Sequence, residues 1–135
     1  MHLPGEQIQA ISTNIIFKVI MYKELLTKIN EFAEERDWDQ FHSPKNLAMA
    51  LSVEVSEVVE HFQWLTEAQS KNLSYEQKTE VGTELADTFI YLIRLADKLD
   101  LDLVDEAMKK NEINKLKYPV DKAKGIAKKY KELGK

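Results

Sequence analysis

The sequence predicts an all-α fold, an antiparallel four-helix bundle. Three observations predict it. Four Gly and three Pro in 135 residues leave long stretches without a helix breaker. Apolar residues recur at three- and four-residue intervals, as in Leu25, Leu26, Ile29, Phe32 and Ala33. Runs of alternating β-branched and aromatic residues bounded by turn clusters, the mark of strands, are absent. A chain of 135 residues supports one core, so a single helical domain is expected over 1–135.

From residue 6 to residue 42 there is no Gly or Pro. Ile8, Ile11, Ile15, Ile16 and Val19 form a first apolar set, which reads as an N-terminal arm over residues 1–21 or as the same helix continued. Leu25 to Ala33 form the second and clearer stripe. "ERDWDQFHSP" breaks the period and reads as a connection. Ser43-Pro44 is a start signal, with Ser as N-cap and Pro in the first turn, for a helix running to about Thr66. "TEAQSKNLS" reads as a loop. Ser74 and Gln77 have the spacing of a capping box and open a long helix to about Leu99. Gly82 inside it costs roughly 1 kcal/mol relative to Ala, which close packing would explain. "DLDL" is a turn, and Asp102 caps a fourth helix that ends near Lys117, before Pro119. Residues 120–135 are a basic tail.

The formal charge is −4, but it is unevenly spread. From Ala107 onward ten lysines face three acidic residues, a local +7, which leaves −11 for the first 106 residues. An acidic body of that size repels a duplex, so no nucleic-acid partner is expected. No run of 18 apolar residues exists, so no membrane span is expected either. The absence of Cys removes disulfides, thiolate metal sites and Cys nucleophiles. "NIIFKVIMY" lacks a basic stretch before it and reads as helix rather than signal peptide, so the expected location is cytoplasmic.

The segment "VEVSEVVEHFQW", residues 53–64, carries the chemistry. At about 100° per residue, Glu54 and Glu60 lie about 60° to either side of Glu57 on one helical face. Trp64 follows Glu57 by seven residues, two turns along the same line. "ELADTFIYLIRL" repeats the pattern, with Glu84 and Asp87 three apart and Tyr91 seven after Glu84. Four carboxylates drawn into an apolar helix pair would each cost several kcal/mol if uncompensated. The nearby cations, Lys45, Lys78 and Arg94, do not repeat the acidic spacing. Divalent cations with oxygen ligands, Mg²⁺ or Mn²⁺, fit better. A di-iron bundle needs Glu-x-x-His on two helices, and none of the three His stands three residues after a Glu. A non-catalytic helical module that binds a basic partner through the acidic face is the alternative.

The chain resembles the MazG-type all-α nucleoside triphosphate pyrophosphohydrolases. Glu54-x₂-Glu57 and Glu84-x₂-Asp87 are similar to the signature of that family. "ERDWDQFHSPKNLAMALSVEVSEVVEHFQW", "ELADTFIYLIRLADKL" and "NEINKLKYP" look like its deoxycytidine triphosphate pyrophosphatase branch, over roughly residues 22–130. Two positions depart from the pattern: Val53, where the wider family often has Glu, and Ile29, where members of the branch can carry a polar residue.

The resemblance implies a Mg²⁺-dependent cut between α- and β-phosphates of a nucleoside triphosphate, with dCTP or a related pyrimidine deoxynucleotide expected first. A related all-α enzyme acting on dUTP or its diphosphate is the neighbouring alternative. The implied metal ligands are Glu54, Glu57, Glu84 and Asp87. Glu57 and Glu60 are the candidate catalytic residues, Glu60 as a group orienting water. Trp38, His42, Trp64 and Tyr91 match nucleotide-contacting positions, and Asn114 and Lys117 match a segment that closes over sugar and phosphates. The family also implies a homo-oligomer, a dimer or tetramer.

Overall fold

The first ordered choices along the chain are made by caps. The Ser43 hydroxyl oxygen accepts the backbone N–H of Asn46, with Pro44 in the first turn. Ser74 and Gln77 form a reciprocal capping box. Asp102 accepts the N–H of Asp105. These caps open three of the four long helices in the computed structural model, which describes residues 5–133, with side chains from residue 20 onward.

The helices are α1 (Gly5–Glu34), α2 (Pro44–Glu60), α3 (Glu67–Ser70), α4 (Tyr75–Lys98), α5 (Leu103–Lys117) and α6 (Val120–Ala123), followed by a 3₁₀ turn at Tyr130–Glu132. No strand occurs among the described residues. The all-α expectation is borne out. The chain divides into two compact units, Met1–Leu99 and Asp100–Lys135.

In the first unit α4 packs against α2 and α1. Its buried apolar residues come from all three helices: Ala33, Leu47, Val81, Ile93 and Ala96. Leu47 and Ile93 are each 1% exposed and centre the core. Around this narrow core much apolar surface stays open. Met49 and Val53 on α2, and Leu85, Phe89 and Leu92 on α4, are all exposed.

Of the two readings of the first apolar set, the continued helix is the one found: α1 runs through it, although the side chains of Ile8 to Val19 lie outside the described ones. Two other expectations change. The second helix stops at Glu60, not near Thr66. Phe62 and Gln63 both donate to the Val59 carbonyl, Leu65 donates to that of Phe62, and Thr66 then takes extended backbone as N-cap of α3. Thr66 and Gln69 make a capping box inside the expected loop, and a residue held in that conformation cannot continue a helix. Gly82 is not explained by close packing among the described residues, since a Cβ there would meet none of them within 4 Å. It continues the exposed stripe of Leu85, Phe89 and Leu92 at helical spacing.

α1 ends in a way that shapes the site. Asp37 takes a left-handed φ of 53°. Its N–H donates to Glu34 O, and the Trp38 N–H donates back to Ala33 O. This is a Schellman arrangement, with Asp37 where Gly is usual. It folds Trp38 back over the helix end, where the indole packs edge-on to Phe32 at 5.6 Å.

Candidate active site

The acidic pairs on α2 and α4 meet where the two helices pack. Carboxylate oxygens of Glu54, Glu84 and Asp87 lie within 4.8 Å of one another, and all three residues are half-buried. Glu57, also half-buried, lies close enough to Glu54 and Glu84 to act on both carboxyls. Partial burial, then the charges of Glu57 and Asp87, raise the Glu54 carboxyl above its ordinary value. Partial burial, hydrogen bonding to Glu57 and the charges of Glu57 and Asp87 raise Glu84, with His61 opposing. Among the ion pairs of the described residues, none includes any of these four carboxylates.

An all-oxygen, uncompensated donor set of this size suits a hard divalent cation such as Mg²⁺ or Mn²⁺. Without a cation the cluster works against the fold. A carboxyl raised in the folded state binds more protons there than in the unfolded chain, so its contribution is present at low pH and lost as pH rises above about 4.5. The gain in thermal midpoint on adding Mg²⁺ is therefore expected to be small near pH 5 and larger near pH 7.5, as measured by thermal unfolding in chelator-treated buffer.

Beside the cluster lies a cavity of ≈ 370 Å³. Ile29 and Phe32 of α1, Trp38 and His42 of the connection, and Tyr91 of α4 form its walls. Their rings follow one another edge-on: Trp38 to His42 at 6.0 Å and His42 to Tyr91 at 6.5 Å. Asp87 lines this cavity and also belongs to the carboxylate cluster. Ile29, singled out above as an apolar departure, is part of the wall. A second hollow of ≈ 380 Å³ is lined by Leu65, Ala68, Gln69, Asn72 and Gln77, none of them titratable and none a predicted site residue.

Behind the cavity sits a polar network that sequence reasoning missed. Arg94, 3% exposed, lies on α4 three residues after Tyr91. Its Nε donates to His42 Nδ1 at 2.9 Å, one Nη to Asn30 Oδ1 at 2.6 Å and the other to Asp39 Oδ1 at 2.5 Å. Asn30 in turn donates to Asp97 at 2.9 Å, and Lys98 donates to Asp39 at 2.9 Å. Hydrogen bonding from Lys98, helped by Arg94, lowers the Asp39 carboxyl. Partial burial and then the Arg94 charge lower the His42 imidazole below its ordinary value. The available signal was a cation on the buried face of an apolar helix, which requires an acceptor.

The Arg94–Asp39 pair is asymmetric, since Asp39 is 49% exposed and keeps Lys98. Asp39→Ala strands a buried guanidinium, whereas Arg94→Met leaves an exposed carboxylate with a partner. The first is expected to cost clearly more stability than the second, by urea unfolding of both variants.

Two predicted residues of the first unit, Trp64 and Glu60, do not line this cavity. Trp64 lies beyond the end of α2, so the two-turn spacing from Glu57 does not apply, and the residue is 86% exposed. Glu60 is the exposed last residue of α2 and is not among the three clustered carboxylates. Asn114 and Lys117 lie on α5 in the second unit. There the Asn114 carbonyl accepts the Tyr118 N–H, and the Lys117 ammonium lies 5.1 Å from the centroid of the Tyr130 ring.

The all-α chain thus joins a carboxylate cluster that could hold a cation to an aromatic-walled cavity. The comparisons make this specific. The profile of the MazG-like family matches residues 49–133, and the chain belongs to that family. It is 42% identical over 105 residues to human dCTP pyrophosphatase 1, and 40% identical to the mouse protein of that name. Each match covers 76% of this chain and 62% of the relative. The chain thus spans less than two thirds of the length of the curated relatives it matches. A crystal structure of a pyrophosphatase from Archaeoglobus fulgidus is similar, with a TM-score of 0.70 and 38% identity. That match covers 73% of this chain and 93% of the archaeal one.

Proposed function

We propose that the protein hydrolyses deoxynucleoside triphosphates, dCTP and related pyrimidine nucleotides first, to the monophosphate and pyrophosphate, with Mg²⁺ as cofactor. The observation that carries the reading is Asp87. One residue borders both an apolar cavity suited to a flat base and a carboxylate cluster suited to a cation that meets phosphates. The relatives, dCTP pyrophosphatase 1 and an archaeal pyrophosphatase, support the same chemistry.

Glu54, Glu84 and Asp87 would hold the cation, with Glu57 alongside. When bound, the cation supplies positive charge for the phosphate chain and Lewis acidity at the reacting phosphorus. The chain's own residues do the rest. Trp38 and Tyr91 wall the base, and His42 meets its edge. We assign to the Glu57 carboxylate the uptake of a proton from the attacking water, because it acts on two of the clustered carboxylates without being one of the three. Asn114 and Lys117 are proposed contacts to sugar and phosphate on the strength of the family resemblance. Trp64 and Glu60 remain proposed site residues on the same ground.

The test is incubation with a panel of nucleotides and Mg²⁺, scored for pyrophosphate against single phosphate. Pyrophosphate from dCTP supports the reading. Turnover confined to dUTP or dUDP moves the assignment to the neighbouring all-α class, and no product from any nucleotide favours a non-catalytic module.

We also propose that the protein is a homo-oligomer, a dimer or tetramer. Gly82, Leu85, Phe89 and Leu92 form an open stripe on α4, and Trp64 is almost wholly exposed. Apolar surface of this kind marks an interaction face. A monomeric mass in light scattering at micromolar concentration overturns this.

A further inference from the structure

We propose that Arg94 is a positioning residue that locks His42 as its Nε2–H tautomer. His42 thereby offers the cavity a hydrogen-bond donor and selects a base edge that presents an acceptor, a ring carbonyl or ring nitrogen. The inference rests on the nucleotide reading of the cavity for its ligand, but not for the tautomer.

Arginine carries five N–H donors, has no acceptor and keeps its proton in proteins. With Arg94 Nε 2.9 Å from His42 Nδ1, that nitrogen holds the lone pair and the ring proton stays on Nε2. The guanidinium has little freedom to release it. Its other two nitrogens are held by Asn30 and Asp39, contributed by α1 and by the connection after it. Asn30 is itself oriented, since its amide donates to Asp97 while its carbonyl accepts from Arg94. Lys98 pins Asp39. The imidazole is further held between the rings of Trp38 and Tyr91.

The rest of the wall sharpens the role. Ile29 and Phe32 offer no hydrogen bonds, and Asp87 as a carboxylate only accepts. Lys28 is already paired with Glu24 at 2.9 Å. The donors of Arg94 are directed at His42, Asn30 and Asp39. Beside the Trp38 indole N–H and the Tyr91 hydroxyl, the N–H that Arg94 leaves on His42 is thus a fixed donor in the cavity wall. There, a ligand that cannot accept leaves a buried donor unsatisfied.

Two measurements test this. Long-range ¹H–¹⁵N correlation of the imidazoles in the free protein, assigned with His42→Gln, should show one His42 tautomer with Nδ1 bare. In Arg94→Met the signals should move to the exchange-averaged mixture. Calorimetry should show a non-hydrolysable α,β-methylene dCTP binding about tenfold more weakly to Arg94→Met, the net worth of one hydrogen bond. Deoxyribose triphosphate without a base should bind both proteins alike. In a His42→Ala background the Arg94 substitution should add nothing further. Where Arg94→Met fails to fold, Arg94→Lys keeps a cation for Asp39 but loses the geometry that spans to His42.

A mixed or Nδ1–H tautomer in the unaltered protein overturns the proposal. So does an equal loss for the baseless triphosphate, or a loss that persists without His42. A protein that binds no nucleotide removes the recognition half together with the proposed function, while the spectrum still decides the tautomer.

Discussion

Glu84→Gln is expected to reduce Mg²⁺-dependent pyrophosphate release roughly a thousandfold or more, and also to raise the thermal midpoint of the cation-free protein. The two effects have one cause. Glu84 shares a 4.8 Å cluster with Glu54 and Asp87, lies close to Glu57, and has no ion-pair partner among the described residues. Removing one negative charge weakens the hold on a divalent cation, whose electrostatic share of such a reaction amounts to several kcal/mol. The same removal relieves repulsion that only a cation otherwise offsets. Pyrophosphate release assayed with Mg²⁺, and melting in chelator, measure the two effects. Wild-type-like turnover refutes the site assignment, and a lowered midpoint refutes the electrostatic account. Glu57→Gln should lose activity too, because it removes the proposed proton acceptor.

Ile93→Ala is expected to destabilise the fold by about 3 kcal/mol, a large part of the total stability of a domain this size. Ile93 is 1% exposed, and Leu47 is the only other described side chain of its size so fully enclosed. A core with two such centres has little capacity to collapse around a cavity. Arg94 follows Ile93 on the same helix, so the network that holds His42 should loosen as well. Urea unfolding measures the first effect and the His42 imidazole spectrum the second. A cost under about 1 kcal/mol would show that the surrounding helices close the gap.

Much of the helical framework was legible because local chemistry fixes it. Ser43-Pro44, Ser74 with Gln77, and Asp102 each satisfy backbone donors within three residues, so their start points need no tertiary information. The end of α2 was missed although its signal is equally local. Thr66 and Gln69 form a capping box, but the apolar period before them reads as a helix carried on to about Thr66. The carboxylates followed from periodicity, since an i, i+3 pair on each of two packed helices converges. Which three cluster most tightly depends on how α2 sits against α4, and the spacing does not encode that. The Arg94 network was illegible for a different reason. Its acceptors Asn30, Asp39 and His42 lie 52 to 64 residues away, two of them in the irregular connection after α1. Trp38 is similar, because its place depends on a left-handed Asp37 where Gly would have announced the turn.

Glu84, Asp87, Tyr91 and Arg94 all stand on α4, ten residues from first to last. At about 1.5 Å per residue they span about 15 Å of one stiff rod. α4 is therefore a ruler, with the charged mark and the base mark cut into the same piece, and flexing of neighbouring helices leaves their separation unchanged. Such a ruler tolerates substitution far better than insertion. One extra residue between Asp87 and Tyr91 would turn the far mark by about 100° and leave each half of the site intact but facing a different way.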